Sequence, residues 1–260
     1  MRDYLSDPPE TLEKITTVII IPSYNETLAL PVLLKELNPQ FSSTDAVLVV
    51  DDSSSEVFSE IQRVSANAMA GSKGSVFFSN ENGKSGRGAA VRRGMKIAME
   101  NFPNLTNIME CDADGSHQPA DIIIVKDDPS ICDLLIGSRY LKNSKIQGWP
   151  LSRRLFSHLL NFSIPRALGI PIHDITNGLR RYSQPAVQVI LKSEQVNKGF
   201  TYLSEQALLI HRAGLSIEER PITFIDRALG SSTVTWREIS NSIRGIFALV
   251  RFKKDYSQAK

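Results

Sequence analysis

The 260 residues include only two cysteines, Cys111 and Cys132. That is too few for a disulfide framework, and their spacing is not that of a paired-cysteine zinc site. A reducing cytosol is the compartment this suggests. No uninterrupted apolar stretch approaches the roughly 18 residues of a membrane-spanning helix, so the chain is not expected to cross a bilayer by itself. An excess of one charge is also lacking: 30 Lys and Arg against 28 Asp and Glu leave a formal net charge of +2. No global field draws such a chain onto nucleic acid, and any anion site must be local. Residues 1–14 are polar, lack the apolar core of a secretory signal, and read as a lead-in. There is no Gly-x-Ser-x-Gly elbow or Cys/His pairing for a covalent hydrolase. The four histidines, His117, His158, His173 and His211, read as structural or surface groups, since a lone histidine near acids does not make a zinc site.

What is present is a chain able to bury one sizeable core, with 42% hydrophobic and 22% charged residues. Short β-branched runs alternate with stretches of helical spacing. Val18 to Ile21 reads as a buried strand stopped by Pro22, and Ala46 to Val50 as one stopped by Asp51 and Asp52; Val76 to Phe78 and Asn107 to Cys111 follow. Thr27 to Leu37, Val57 to Met69 and Gly88 to Met99 lie between them with apolar residues at helical intervals. This rhythm predicts an α/β chain with one open, doubly wound, mostly parallel sheet flanked by helices. Ligands bind beyond the carboxyl ends of the strands in such sheets, where Ser23 to Glu26, Asp51, Asp52, Asp112 and Asp114 fall.

The turn after the first strand, Pro22-Ser23-Tyr24-Asn25-Glu26, contains no glycine. A dinucleotide fold needs glycine there for backbone to approach a pyrophosphate, so a nicotinamide enzyme is disfavoured; the P-loop pattern is also missing. An aromatic and a carboxylate suit a base and its polar edge, which leaves a diphosphate to be neutralised by a metal. Asp112-Ala113-Asp114 supplies two carboxylates just past a strand, a pair that suits Mg2+ or Mn2+ together with phosphate oxygens. In isolation such a triplet reads more readily as a solvated turn, and its place in the same crevice as Asp51 and Asp52 is what favours a metal. Gly83-Lys84-Ser85-Gly86-Arg87-Gly88 precedes a helix and could face an anion with its amides and Lys84.

Taken in order, Thr17 to Glu26, Val49-Val-Asp-Asp-Ser53, Gly83 to Gly88, Met109 to His117 and Gly137-Ser-Arg-Tyr140 resemble the successive motifs of family-2 inverting glycosyltransferases of GT-A fold. The likeness is greatest to the branch of dolichyl-phosphate mannosyltransferases and polyprenyl-phosphate glycosyltransferases, and it spans about Thr17 to Ser232. The resemblance implies a nucleotide-diphosphate sugar donor, GDP-mannose first, a divalent metal (Mg2+ or Mn2+), and a polyprenyl or dolichyl phosphate acceptor. It places Pro22, Tyr24, Glu26, Asp52, Lys84, Ala113 and Arg227 at the donor, and Asp112 and Asp114 on the metal. A third metal contact in the family falls where this chain has Ser116, a weaker ligand that is left out of the metal set. Arg139, Arg153, Ser157 and Asp174 fall at the acceptor, with Asp114, Arg139 and Arg153 as the catalytic group.

Guanidinium forks suit phosphate geometry, and Trp149, Leu155 and Phe156 form a stretch able to touch headgroups. Asp174 either serves the acceptor or pairs Arg180 or Arg181. Asn177 and Leu179 depart from the family pattern, as do Ser231 and Thr233, where lysines are usual. Ile239, Ile243, Ile246, Phe247 and Val250, flanked by Arg237, Arg244, Arg251, Lys253 and Lys254, suggest an interfacial helix. The expected organisation is a lead-in over 1–14, a catalytic domain over 15–235 and an amphipathic basic helix and tail over 236–260. A cytoplasmic protein peripheral to the cytosolic face of a membrane, or held there by a membrane partner subunit, follows. Two rivals are transfer to a sugar hydroxyl, with a base near Asp174, and a non-catalytic sugar-nucleotide-binding or scaffold subunit.

Overall fold

The computed structural model describes residues 9–194 and 201–226; the expected helix over 236–260 and Arg227 lie outside them. A seven-stranded sheet forms the centre, in the order β3-β2-β1-β4-β7-β5-β8. Its strands are β1 (Thr17–Ser23), β2 (Asp45–Asp51), β3 (Ser75–Asn80), β4 (Asn107–Glu110), β5 (Leu134–Ser138), β7 (Arg180–Ser183) and β8 (Ile217–Pro221). All run parallel except β7, which is antiparallel to both β4 and β5. A small parallel pair, β6 (Lys145–Gln147) with β9 (Thr223–Ile225), sits beside the sheet.

The continuous apolar runs in β1 and β2 reflect burial on both faces, the expected pattern for a covered parallel sheet. Alternate residues go to opposite sides. Ile19, Ile21, Val47 and Val49 pack under α2 (Ala29–Leu37), α3 (Ser55–Ala68) and α5 (Pro119–Lys126). Val18, Ile20, Leu48 and Val50 pack under α4 (Arg87–Asn101), α6 (Leu151–Leu168), α7 (Gln184–Lys192) and α8 (Tyr202–Arg212). Helix α4 comes close because Gly94 carries no side chain: a Cβ there would fall 2.7 Å from Ile20 Cγ2.

Three boundaries differ from the sequence reading. β1 continues through Pro22 to Ser23 because Pro22 pairs only with β2; the ladder to β4 has already ended at Ile20, so the missing amide costs nothing on that side. β2 includes Asp51, whose carboxylate is satisfied locally, and β4 ends at Glu110, one residue before Cys111. Part of the polar lead-in is helical, α1 (Pro9–Lys14), with Leu12 packed against the core.

Candidate active site

The strand directions decide where the chemistry gathers. β1, β2, β3, β4, β5 and β8 all end at one edge of the sheet, and antiparallel β7 begins there. Tyr24, Asp52, Lys84, Asp112, Asp114, Arg139, Asp174 and Asp226 therefore meet at that edge, around the point where the strand order reverses between β1 and β4.

On the β1–β2 side the turns are held by buried carboxylates. Asp51 accepts from the Ser53 amide at 2.8 Å and the Ser53 hydroxyl at 3.1 Å, while Ser53 Oγ accepts from the Asn25 amide at 2.8 Å. Asn25 has φ 60°, in the left-handed region that asparagine tolerates. Its turn leaves Tyr24 exposed and Pro22 and Glu26 half-buried. Asp52 is buried and fully engaged: Oδ2 accepts from the Ser85 amide (2.9 Å) and hydroxyl (2.7 Å), and Oδ1 from Arg93 Nη2 (2.8 Å). Asp52 thus ties the glycine-rich loop and α4 to the end of β2. The same loop carries Lys84, whose Nζ lies 5.2 Å from the centre of the Tyr24 ring. Ala113 turns its methyl group into the core.

The acidic triplet sits on a buried polar network that sequence reasoning missed. Arg87, the first residue of α4, places Nη2 2.7 Å from Asp112 Oδ1 and 3.6 Å from Glu110 Oε2. Tyr182 and Tyr202 donate to Glu110 at 2.5 and 2.6 Å. Burial works against the Arg87 charge, but Asp112, Tyr202 and Glu110 outweigh it and hold the guanidinium protonated. Burial and the same carboxylates push the Cys111 thiol far up, so it is inert. Gly178 makes the room: a Cβ there would lie 2.3 Å from Arg87 Nη2. The clue was present in the motif Gly86-Arg87-Gly88, but nothing local indicated that Arg87 would turn inward.

His117 is structural, as expected, and its tautomer is fixed by its partners. The Asp112 amide donates to Nδ1 at 3.2 Å, so Nε2 carries the proton and donates to Asn177 Oδ1 at 3.0 Å. Asn177, a departure from the family pattern, is the buried bridge between His117 and the Gly137 carbonyl.

Among the described residues no three His, Cys, Asp or Glu side chains converge as a metal cluster. The residues present nevertheless suit a hard divalent ion that draws its remaining ligands from phosphate. Asp114 Oδ1 accepts from the Ser116 amide at 3.0 Å. The Ser116 hydroxyl is buried with no hydrogen-bond partner among the described residues. A buried, unpartnered hydroxyl on the residue whose amide holds the Asp114 carboxylate fits a cation site better than an apolar core, so Ser116 joins Asp112 and Asp114 as a candidate ligand.

The acceptor-side residues form a second buried network. Asp174 Oδ2 accepts from the Arg139 amide (2.9 Å) and Nε (2.7 Å), and Oδ1 from Arg139 Nη2 (2.8 Å). Burial raises the Asp174 pKa, but the Arg139 charge and these bonds outweigh it and hold the carboxyl below its ordinary value. Of the two readings of Asp174, pairing with Arg180 or Arg181 is not what the structure has. Those two arginines are spent on carbonyls, Arg180 on Ile175, Asn177 and Leu203, Arg181 on Lys126, Asp128 and Ser130. Trp149 is also corrected: it is buried, not a headgroup contact. The Arg139 and Arg153 guanidinium carbons lie 5.3 and 4.2 Å from its ring centre. Arg153 pairs with Asp226 at 2.9 Å, and Ser157 accepts from the Tyr140 hydroxyl at 2.7 Å. Beside Ser157 a cleft of about 510 Å³ opens, lined by Tyr140, His158, Phe162, Pro165, Ile170 and Ile172 among others.

In sequence the chain is similar to polyprenyl-phosphate mannosyltransferases. An undecaprenyl-phosphate mannosyltransferase of Micrococcus luteus is 33% identical over 216 residues, 83% of this chain and 86% of that protein. A polyprenol monophosphomannose synthase of Mycolicibacterium smegmatis is 31% identical over 238 residues, 91% of this chain and 88% of that one. In fold the chain is similar to glucosyl-3-phosphoglycerate synthase of Mycobacterium tuberculosis, solved with Mn2+, UDP and glucosyl-3-phosphoglycerate (TM-score 0.61, 15% identity, 97% of this chain and 86% of that one). The same synthase has been solved with Mg2+ and UDP (TM-score 0.61, 15% identity, 96% and 84%). The doubly wound sheet with its site at the carboxyl edge is the GT-A architecture. The glycosyl transferase family 2 model matches residues 18–191, from the second residue of β1 to beyond β7, and the chain belongs to that family.

Proposed function

We propose that the protein transfers mannose from GDP-mannose to a polyprenyl phosphate at a membrane surface, with a divalent metal held by Asp112, Asp114 and Ser116. The names of the M. luteus and M. smegmatis relatives support the sugar and the acceptor class. The Mn2+ and Mg2+ complexes of the M. tuberculosis synthase support the metal. The observation that carries the choice of phosphate over hydroxyl acceptor is the state of Asp174. A hydroxyl nucleophile needs a general base. Asp174 is fully buried, saturated by Arg139, and held ionised in that pair, so it is not free to collect a proton. A phosphate oxygen is already anionic and needs only to be oriented.

In this reading Tyr24, Glu26 and the loop anchored by Asp52 receive the nucleotide, with Pro22 and the Ala113 backbone closing its pocket. Lys84 and Arg227 meet the diphosphate. A bound metal would supply the positive charge that stabilises the departing nucleoside diphosphate. Arg139, Arg153 and Ser157 hold the acceptor phosphate so that one oxygen faces the anomeric carbon; the C–O bond to the diphosphate breaks as the new one forms, with inversion. No helix among the described residues is long and apolar enough to cross a membrane, consistent with a protein acting on lipid from the surface.

The test presents purified protein with Mn2+, a panel of nucleotide sugars, and either a polyprenyl phosphate or its dephosphorylated alcohol. Transfer to the phosphate alone, with GDP-mannose as the best donor, is expected. Equal transfer to phosphate and alcohol refutes the acceptor assignment.

A further inference from the structure

The two acceptor-side arginines are held in opposite ways. Arg139 is buried, and Asp174 grips it through Nε at 2.7 Å and Nη2 at 2.8 Å. Arg153 stands in the first turn of α6 with its side chain 41% exposed, and it meets Asp226, Nη1 to Oδ1, at 2.9 Å. A buried bidentate pair stays closed, because opening it strands two charges away from water. A half-exposed pair is screened by solvent and opens at little cost.

The fixed end of that pair is Asp226. Its amide donates to the Gln147 carbonyl at 3.0 Å, and it packs against Gly148, where a Cβ would fall 2.9 Å from Asp226 Cβ. The strand before it, β9, is tied to the far side of the site: the Ile225 amide donates to the Ser116 carbonyl at 3.2 Å and the Thr223 amide to Asp121 at 2.8 Å. The movable end is the Arg153 side chain. Its guanidinium carbon lies 4.2 Å from the centre of the Trp149 ring, an uncharged seat that attracts the cation whichever anion it faces.

We propose that Asp226 is the resident counter-ion of Arg153, displaced by the acceptor phosphate on binding and returning to the arginine as the product leaves. The proposal rests on the function proposed above, in which Arg153 holds the acceptor phosphate. A phosphate monoester carries a charge of about −1.5 to −2 at pH 7 and offers a guanidinium fork two oxygens, against the single charge of a carboxylate. Transfer changes that balance. The phosphate oxygen bonds to the anomeric carbon as the bond from that carbon to the nucleoside diphosphate breaks, and the acceptor becomes a phosphodiester with one negative charge. Arg153 then stands between two single charges, one of them tethered beside it, and the tethered carboxylate recaptures the guanidinium. Asp226 is a positioning residue that acts through Arg153: it lowers the affinity of the site for anions and keeps product from occupying it.

The test uses the full-length protein and geranyl phosphate, a short soluble prenyl phosphate, at physiological ionic strength. Asp226→Asn preserves the size of the side chain and removes its charge. It should tighten calorimetric binding of geranyl phosphate by about two- to fivefold, the range spanned by an exposed ion pair. The acceptor KM should fall, and inhibition by the phosphodiester product should strengthen, by a similar factor. Asp226→Glu should restore wild-type behaviour. Arg153→Ala should weaken binding, and adding Asp226→Asn to it should change nothing further.

Unchanged or weaker phosphate binding by Asp226→Asn overturns the proposal, since the carboxylate would then be inert or a support for Arg153. So does a tightening of equal size in the Arg153→Ala background, because the carboxylate would act by repulsion and not by exchange. If Arg153→Ala binds geranyl phosphate as tightly as the wild type, the acceptor assignment falls and the proposal with it. Tightening that depends on Arg153, in a protein that transfers no sugar to a prenyl phosphate, would uphold the exchange and fail the proposed function.

Discussion

Replacing Asp174 by Asn separates a structural carboxylate from a catalytic base. The carboxylate is fully buried and bound through both oxygens to Arg139. An Asn keeps one oxygen, enough for the two bonds at Oδ2, and turns an NH2 group toward Arg139 Nη2, donor against donor. The guanidinium is left buried without a counter-charge, which typically costs about 3–5 kcal/mol. For a domain of this size each kcal/mol lowers the melting temperature by about 2–4 °C, so a fall of roughly 6–20 °C is expected. The pair Asp174→Asn/Arg139→Gln removes the stranded charge and should be less destabilised than the sum of the two single variants.

The pH dependence has a definite sign. Asp174 is held below its ordinary pKa in the folded state, so its contribution is complete above about pH 4 and disappears as pH falls through the folded value. Asp174→Asn should remove that part of the acid sensitivity. Thermal denaturation across pH and a double-mutant cycle measure both effects. A melting temperature within about 2 °C of wild type would mean a loss of under ~1 kcal/mol and would refute the structural role. If it came with a collapse in turnover, Asp174 would be the base of a hydroxyl-directed enzyme.

Asp114→Ala should abolish transfer, and excess EDTA should silence the wild type; full activity in chelator would remove the metal from the reaction. Arg153→Ala should raise the acceptor KM and lower kcat while leaving calorimetric binding of GDP nearly intact; normal acceptor kinetics would defeat its assignment. Ser85→Ala deletes the 2.7 Å hydroxyl bond to Asp52. Bonds to charged groups are worth about 1.5–3 kcal/mol, so donor affinity should drop if that bond orders the loop, and unchanged GDP binding would show that it does not. Gly178→Ala forces a methyl group to within 2.3 Å of the present Arg87 Nη2 position, and it should lower both stability and Mn2+ affinity, read by melting and by electron paramagnetic resonance; a wild-type Mn2+ titration would separate Arg87 from the metal site.

The sheet was readable from Val18 to Ile21 and Ala46 to Val50 because doubly covered strands are continuous apolar runs, and the edge where ligands bind follows from their parallel order. The position of the acidic triplet was readable for the same reason. What could not be read were pairings created by distant segments. Asp174 meets Arg139 because antiparallel β7 aligns Arg180 with Ile136, which brings the chain before β7 alongside the end of β5; the nearby Arg180 and Arg181 were the only partners local sequence offered. Arg87 turns inward because Tyr202, 115 residues away in sequence, closes its pocket with Glu110 and Gly178 opens it. Asp52 matched a ligand contact in the motif, yet its oxygens are occupied by Ser85 and Arg93. Trp149 was grouped with Leu155 and Phe156 as a stretch able to touch headgroups; those two are exposed, whereas Trp149 is buried with Arg139 and Arg153 against its ring.

The placement of Arg153 and Ser157 on α6 changes how acceptor concentration should be counted. At about 1.5 Å per residue the 18-residue helix is about 27 Å long. In the proposed function the acceptor is a lipid, so an enzyme held at the bilayer surface would share the plane its substrate occupies. Acceptor capture then becomes a search by lateral diffusion in two dimensions, with an effective concentration set by the mole fraction of lipid phosphate in the bilayer and not by its amount per volume of buffer. Diluting the acceptor with inert lipid at constant bulk concentration should slow transfer, whereas diluting the vesicles in buffer, while the protein remains bound, should leave the rate per enzyme unchanged.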